Sequence, residues 1–520
     1  MPTPSVDAPS LDTSSLAASS LGASSDALSD ASPLGASSLD ASSLDASSDA
    51  QLDPAREPAA PPGSRTARWM LVALVILAAI RLLGFVHAFG EESLQMDFSA
   101  FYTAGEALNA GLSPYENHID RASPRRGVAV PLWDGVDCYR HSRFLYPPLV
   151  ATLFRPVALL PYRVAKVAWM VLNLAALGLA LALAMRVAGV SGRDPAAWAT
   201  WLFTLSFHPL LTYLERGQID SLILLFLTAA IVMTVTRRRE VVAGGLFALA
   251  TLLKLHTVLV LPFLVVRRRW RALAGYAAGA FLILLASLIL DGPAMLWQYA
   301  TVEFPRISTF GEGGTQEMLL DPAVLAPYQP GEGLTVKDGQ VYSREYFSFV
   351  SNASLGRTGF GLWLRESLAA AGVHGAQSVA ALVVFAGFFG VVASLQWRGV
   401  IPASTDPGHR FLYWQLVLVI VLLSAPLTWV MNTVWLLPLL PFVLRRRSRQ
   451  AWWCCPALGA IVIGLVIAAV PDHLAYSMLL PRAALGAAVW QKYVYAEILI
   501  ALGLLGLLVG ESRRRHSAVP

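Results

Sequence analysis

The chain is poor in charge. Asp, Glu, Lys and Arg supply 14% of its 520 residues, whereas 56% are hydrophobic. So little polar side chain cannot cover a water-soluble globule of this size, and a mean hydropathy of +0.56 points the same way. Cysteine is scarce too. There are three, and two of them, Cys454 and Cys455, are adjacent within an apolar run, which leaves neither a disulfide framework nor a CxxC metal site. No Gly-rich loop of the kind that cradles a soluble nucleotide's phosphates is present. The composition also speaks against disorder, collagen and nucleic-acid binding as the chain's main business.

What is present is a repeated alternation of apolar runs and short arginine clusters. Residues 1–66 stand apart: LGASS and LDASS repeats precede a Pro-rich stretch, and nine acids against two arginines give −7. That leaves +12 for the rest of a chain whose net charge is +5. The tail has too little apolar surface to offset ordering entropy, so residues 1–66 are expected to be a disordered cytoplasmic segment. The membrane domain is expected over 67–515, with a cytoplasmic end at 516–520.

From Trp69 the apolar runs fall near 69–89, 164–187, 196–213, 217–236, 241–253, 255–266, 272–290, 377–396, 410–426, 429–444, 452–470 and 491–510. Arginines at 65, 68, 186, 237–239, 267–269, 271, 398, 445–447, 449 and 513–515 border them. Placing every cluster inside requires an even number of crossings between clusters. The result is an all-α, polytopic, multi-pass bundle of about 12 transmembrane helices in the plasma membrane, both termini cytoplasmic. The pair 241–266 is short on both sides of Lys254, which predicts two short or half-inserted helices lining a cavity. Two long segments, about 90–162 and 291–375, then lie outside and carry short interfacial helices.

In the first outer segment, Phe98, Phe101, Tyr102, Gly105, Leu108 and Leu112 recur at helical spacing, predicting a short helix flat on the membrane surface with Gly111 at its end. Asp97 at its start reads either as an N-cap or as a carboxylate placed at headgroup level, where a general base for a lipid-borne substrate must sit. Tyr146-Pro147-Pro148 ends an extended segment and starts a helix. Gln218 and Asp220, Lys254 and His256, Asn352, and Trp429 with Asn432 all fall on the same predicted side as Asp97. Polar groups at such depths are functional by default, and the plainer alternative is a structural ion pair between Lys254 and Asp220. A carboxylate beside Lys, His and Arg can take a hydroxyl proton while the cations hold a departing phosphate.

Four stretches then carry a resemblance: DFSAFYTAGEALNAGLSPYE at 97–116; YPPLVATLFRPVALLP at 146–161; GQIDSLILLFLTAAI at 217–231 with KLHTVLVLPFLVVRRRWRAL at 254–273; and NASL at 352–355 with SAPLTW at 424–429. With the spans they cover roughly residues 69–450, and in this order they resemble glycosyltransferase family 87, the polyprenol-phosphate-mannose-dependent α-mannosyltransferases of the GT-C fold. The resemblance implies a hexosyltransferase, with mannose as the sugar, acting at the outer face by single displacement with inversion. A polyprenyl-phosphate sugar donor would arrive from the membrane lipid, and a glycolipid, glycan or protein would accept. Asp97 becomes the catalytic base, Gln218, Asp220, Lys254 and His256 the sugar-phosphate pocket, with Tyr102 and Tyr146 shaping it and Asn352 and Trp429 as further substrate contacts. No metal or other cofactor is implied. The chain departs from the family where Thr428-Trp429-Val430-Met431-Asn432 replaces Ser-Trp-x-His-His, and where Asn352-Ala353-Ser354 replaces Asn-Gln-Ser. A flippase of lipid-linked sugars and a non-catalytic relative are the alternatives.

Overall fold

The computed structural model describes residues 63–91, 96–115, 144–305, three short strands within 316–343, 354–355, 359–373, 375–402, 404–426, 428–447, 455–471 and 492–517. Residues 1–62 of the expected 1–66 tail, Asn352, and the arginines of the first outer segment at 121, 125, 126, 140 and 143 lie outside these residues.

Every apolar run of the sequence is helical. Among the described residues, six helices are long and apolar enough to cross a membrane: Thr66–Glu91, Tyr162–Ala188, Trp270–Leu290, Ala376–Trp397, Pro407–Ser424 and Lys492–Gly510. The other runs are shorter or broken, and the breaks have local causes. Pro195–Ser206 stops before His208-Pro209, and the next helix, His208–Arg216, is bent by 119° from Asp220–Val235. Lys254 is extended (φ −148°, ψ 105°), so Glu240–Leu253 ends there and a 3-10 turn, Leu255–Val260, leads into Leu261–Val266. This is the short, divided pair the sequence predicts. Pro438 interrupts regular α-helical bonding within Val430–Leu439, which is wound as 3-10 helix before Leu440–Arg447.

Starts are set by side chains. Asp194 accepts from the Ala196 amide at 2.9 Å, and Asp406 from the amides of Gly408 and His409 at 3.3 and 2.8 Å; each is followed by proline at the first helical position. Pro407–Ser424 is the central helix, with every residue from Phe411 to Ser424 buried. Trp270–Leu290 and Ala376–Trp397 instead expose Phe281, Leu282, Ile289, Leu382 and Val391, apolar faces that suit lipid rather than water.

The Met96–Asn109 helix is packed into the body of the protein: Phe98, Phe101, Tyr102, Ala104, Glu106 and Ala107 are all buried. Its aromatic side stacks on Phe154, Tyr162 and Trp169, with Phe101 4.9 Å from Phe154, while the alanines between the aromatics are small enough to be enclosed. The body is helical as expected, but the second outer segment adds a three-stranded antiparallel sheet in the order Gln316–Met318, Gln340–Ser343, Leu334–Lys337. Alternating Leu-Thr-Val-Lys and Gln-Val-Tyr-Ser, separated in sequence by Asp-Gly, form a hairpin signature that a helical reading passes over.

Helices Glu240–Leu253 and Trp270–Leu290 touch backbone to backbone at Gly244 and Gly275. A Cβ on Gly275 would fall 2.0 Å from the Val241 carbonyl oxygen, and one on Gly244 would fall 2.0 Å from that of Ala272. Small residues here allow the close approach that packs helices in lipid. Gly275→Val should therefore force these helices apart, with a cost of about 1–3 kcal/mol or more. A clear fall in the thermal midpoint of the detergent-solubilised protein would register it, and an unchanged midpoint would contradict the packing described.

Candidate active site

The site begins with a turn. Helix His208–Arg216 ends on Gly217, whose φ of 69° is left-handed, and the Gly217 and Gln218 amides both return to the Tyr213 carbonyl, at 3.1 and 3.3 Å. The Trp169 indole N–H donates to the Gly217 carbonyl at 2.8 Å and fixes the turn from a neighbouring helix. Two residues later Asp220 opens the next helix, where the positive end of the helix dipole favours a carboxylate. The GQID sequence thus directs one amide and one acid into the same region by consecutive, differently constrained backbone.

Lys254 reaches that acid from the break in the 240–266 run. Its Nζ donates to both Asp220 carboxylate oxygens at 2.8 Å. The Asp220 side chain is 0% exposed and that of Lys254 12%. Asn432 Nδ2 adds a third bond, to Asp220 Oδ1 at 2.5 Å, while its own Oδ1 accepts from the Trp429 amide at 2.7 Å. The ion pair raised as the plainer alternative is therefore present. It does not withdraw Lys254 from the site, because Lys254 still lines the adjacent cavity.

That cavity has a volume of about 560 Å³. Asp97, Tyr146, Gln218, Lys254, His256 and Trp429 line it together. Asp97 sits in the first turn of Met96–Asn109, and Gln218 Nε2 donates to its Oδ2 at 2.6 Å. Among the described residues Gln218 Oε1 and His256 Nε2 are buried without hydrogen-bond partners, and the His256 ring lies 5.5 Å from that of Trp435. Such atoms carry a desolvation cost that a bound polar ligand would relieve. Burial and the nearby carboxylates of Asp97 and Asp220 push the Tyr146 phenol well above its ordinary range, so it stays a neutral hydroxyl at the cavity wall. Asp97 is the one carboxylate among the described residues lining the cavity; Asp220 lies behind Lys254.

Tyr102 is not part of this wall. Its hydroxyl donates to the Leu160 carbonyl at 2.8 Å and its ring packs edge-on to Tyr162, in the aromatic cluster under the Asp97 helix. Arg216, in the polar 215–220 stretch that the sequence singles out, also lines the cavity, as do Tyr299, Gln377 and Ser424, which sequence reading passed over. Ser424 lies in a motif stretch that was singled out, and Gln377 is a polar residue at the start of an apolar run, so each had a signal. Tyr299 had none. Among the described residues no group of three or more His, Cys, Asp or Glu gathers as a metal site would require.

Residues 144–332 match the model of glycosyltransferase family 87. The chain is similar to the polyprenol-phosphate-mannose-dependent alpha-(1-2)-phosphatidylinositol pentamannoside mannosyltransferase of Mycolicibacterium smegmatis, with 25% identity over 301 residues, 58% of this chain and 61% of that protein. The Mycobacterium tuberculosis protein of the same name shares 23% over 343 residues, 64% of this chain and 65% of its own length. The matches thus span a little under two thirds of either relative.

Removing one member of a buried ion pair strands the other. Lys254→Met should cost about 3–5 kcal/mol by leaving Asp220 uncompensated, and adding Asp220→Asn should recover a large part of it. Thermal midpoints of the two single variants and the double variant test this; strictly additive losses would show that the pair is not coupled.

Proposed function

With a chain related to the family 87 glycosyltransferases as the premise, we propose that it is an integral-membrane glycosyltransferase that moves a hexose, mannose, from a polyprenyl-phosphate donor to a glycolipid acceptor at the outer face of the plasma membrane. The observation that carries this reading is the shared cavity: Asp97 with Gln218 on one part of its wall, and Lys254, His256 and Arg216 on another. Donor, sugar and acceptor class follow the names of the two mycobacterial relatives. The outer-face orientation, with both termini cytoplasmic, follows the arginine clusters.

In this reaction Asp97 takes the proton of an acceptor hydroxyl. The oxygen attacks the anomeric carbon from the side opposite the phosphate, and the carbon–oxygen bond to phosphate breaks with its electron pair leaving on polyprenyl phosphate. Lys254 and Arg216 hold the charge that develops there, a role that groups fixed beforehand in a poorly hydrated site perform well. Gln218 orients the base without removing its charge. Tyr146 contributes a neutral donor.

The distribution of polar groups supports an enzyme over a carrier. Asp220 begins its helix, Lys254 follows the end of the preceding helix in the cavity wall, and Ser424 ends Pro407–Ser424, so the functional side chains cluster at one end of the bundle. A carrier is expected to hold them near mid-membrane, at a repeat interface. Asn432 likewise argues against a decayed site, since it is bonded to Asp220 rather than idle.

Release of polyprenyl phosphate from a labelled polyprenyl-phosphate mannose separates transfer from translocation, which leaves that bond intact. Asp97→Asn should reduce release by about 10²–10⁴-fold while leaving the thermal midpoint near that of the parent. Undiminished release in this variant would remove Asp97 from the role of base.

A further inference from the structure

At the other end of the helices that build the cavity, four arginines converge. Arg237 follows Asp220–Val235, Arg267 follows Leu261–Val266, Arg269 precedes Trp270–Leu290, and Arg410 lies in the first turn of Pro407–Ser424. Arg237, Arg267 and Arg269 lie near enough for their charges to act on Arg410. Helix Pro407–Ser424 has 18 residues, so Arg410 and the cavity-lining Ser424 are separated by about 20 Å of helix rise, and Arg237 stands a comparable distance from Asp220. The cluster is therefore a separate place, at the opposite end of the bundle from the candidate active site.

Among the described residues its charge is not balanced by those around it. Two carboxylates stand near the four guanidinium groups, and both are engaged: Glu240 accepts from Arg269 NH1 at 2.7 Å, and Asp406 caps its helix through the Gly408 and His409 amides. Arg267 is fixed over the Tyr413 ring, 3.8 Å from its centroid. Arg410 donates through NH2 to the Thr405 carbonyl, but its Nε and NH1 are shut off from solvent with no hydrogen-bond partner among the described residues. Arg237 and Arg268, with φ of 55° and 52°, hold left-handed backbone positions where glycine is the unstrained choice. Arg237 thus keeps its positive charge at a local conformational cost, and among the described residues two guanidinium nitrogens of Arg410 have no acceptor.

We propose that Arg410, Arg267 and Arg237 form a binding site for a phosphate-bearing anion at the membrane face opposite the catalytic cavity, and that the anion is the headgroup of an acidic phospholipid. Arginine presents a planar fork that matches phosphate oxygens, and anionic lipid is concentrated at the cytoplasmic interface, where the positive-inside pattern puts this end of the bundle. The site is independent of the transfer chemistry and stands or falls without it.

The test uses the full chain in lipid nanodiscs, either pure phosphatidylcholine or an equimolar mixture with phosphatidylglycerol, with co-purifying lipid counted by native mass spectrometry. The parent protein should retain phosphatidylglycerol preferentially, and Arg410→Gln should lower that preference about fivefold, the effect of one charge near the surface. Arg237→Gln, at an exposed position, gives the same reading if Arg410→Gln does not fold. A parallel arm measures the thermal midpoint of lipid-depleted protein with inorganic phosphate. Stabilisation by phosphate that is lost in the variants would keep the site and make its ligand a soluble anion. Equal retention of both lipids by the parent with no response to phosphate, or variants indistinguishable from the parent, would overturn the proposal.

Discussion

The pairing of Lys254 with Asp220 is the constraint on which the site depends. Two ionised groups withdrawn from water are tolerated only when each satisfies the other, and here the ammonium contacts both carboxylate oxygens while Asn432 contributes a further bond. The pair joins three parts of the chain that are far apart in sequence: the start of Asp220–Val235, the break after Glu240–Leu253, and the 3-10 segment Val430–Leu439. It therefore does more than neutralise charge. It fixes the relative position of the segments that make up much of the cavity wall, and it holds a cation at the edge of the cavity without letting it collapse onto Asp97.

This arrangement gives the two acids different characters. Asp220 is enclosed, and its oxygens are already engaged by Lys254 and Asn432, which leaves it badly placed to act as a nucleophile. Asp97 faces the cavity and is bonded to an amide, which orients a carboxylate without cancelling its charge. A reaction that needs a single base and a cation-stabilised leaving group fits such a pair. One that needs two cooperating carboxylates does not.

Much of this was legible in the sequence. The apolar runs locate every long helix, the Tyr-Pro-Pro step gives the start of Pro148–Phe154, and Lys254 marks the break in the 240–266 run, because proline and an interrupting charge act through local backbone geometry. The association of Asp97, Gln218, Lys254 and His256 was suggested by their shared side and by the family resemblance. Their bonding was not, since Asn432 reaches Asp220 across 212 residues of chain and no local pattern records such a contact. Tyr102, which the resemblance has shaping the pocket, does not line the cavity, because a motif carried over by position does not say what a side chain meets. Here it meets Tyr162 and the Leu160 carbonyl. The sheet was missed because strongly helical surroundings outweighed a short Asp-Gly hairpin signal.

The account rests on one cavity-facing carboxylate acting as base rather than nucleophile, and the anomeric configuration of the first product examines this directly. Nuclear magnetic resonance of the sugar transferred in a single turnover, compared with the donor, should show the opposite configuration at the anomeric carbon. Retention of the donor's configuration would require a covalent glycosyl intermediate and a second participating group, and would contradict the roles assigned to Asp97 and Asp220.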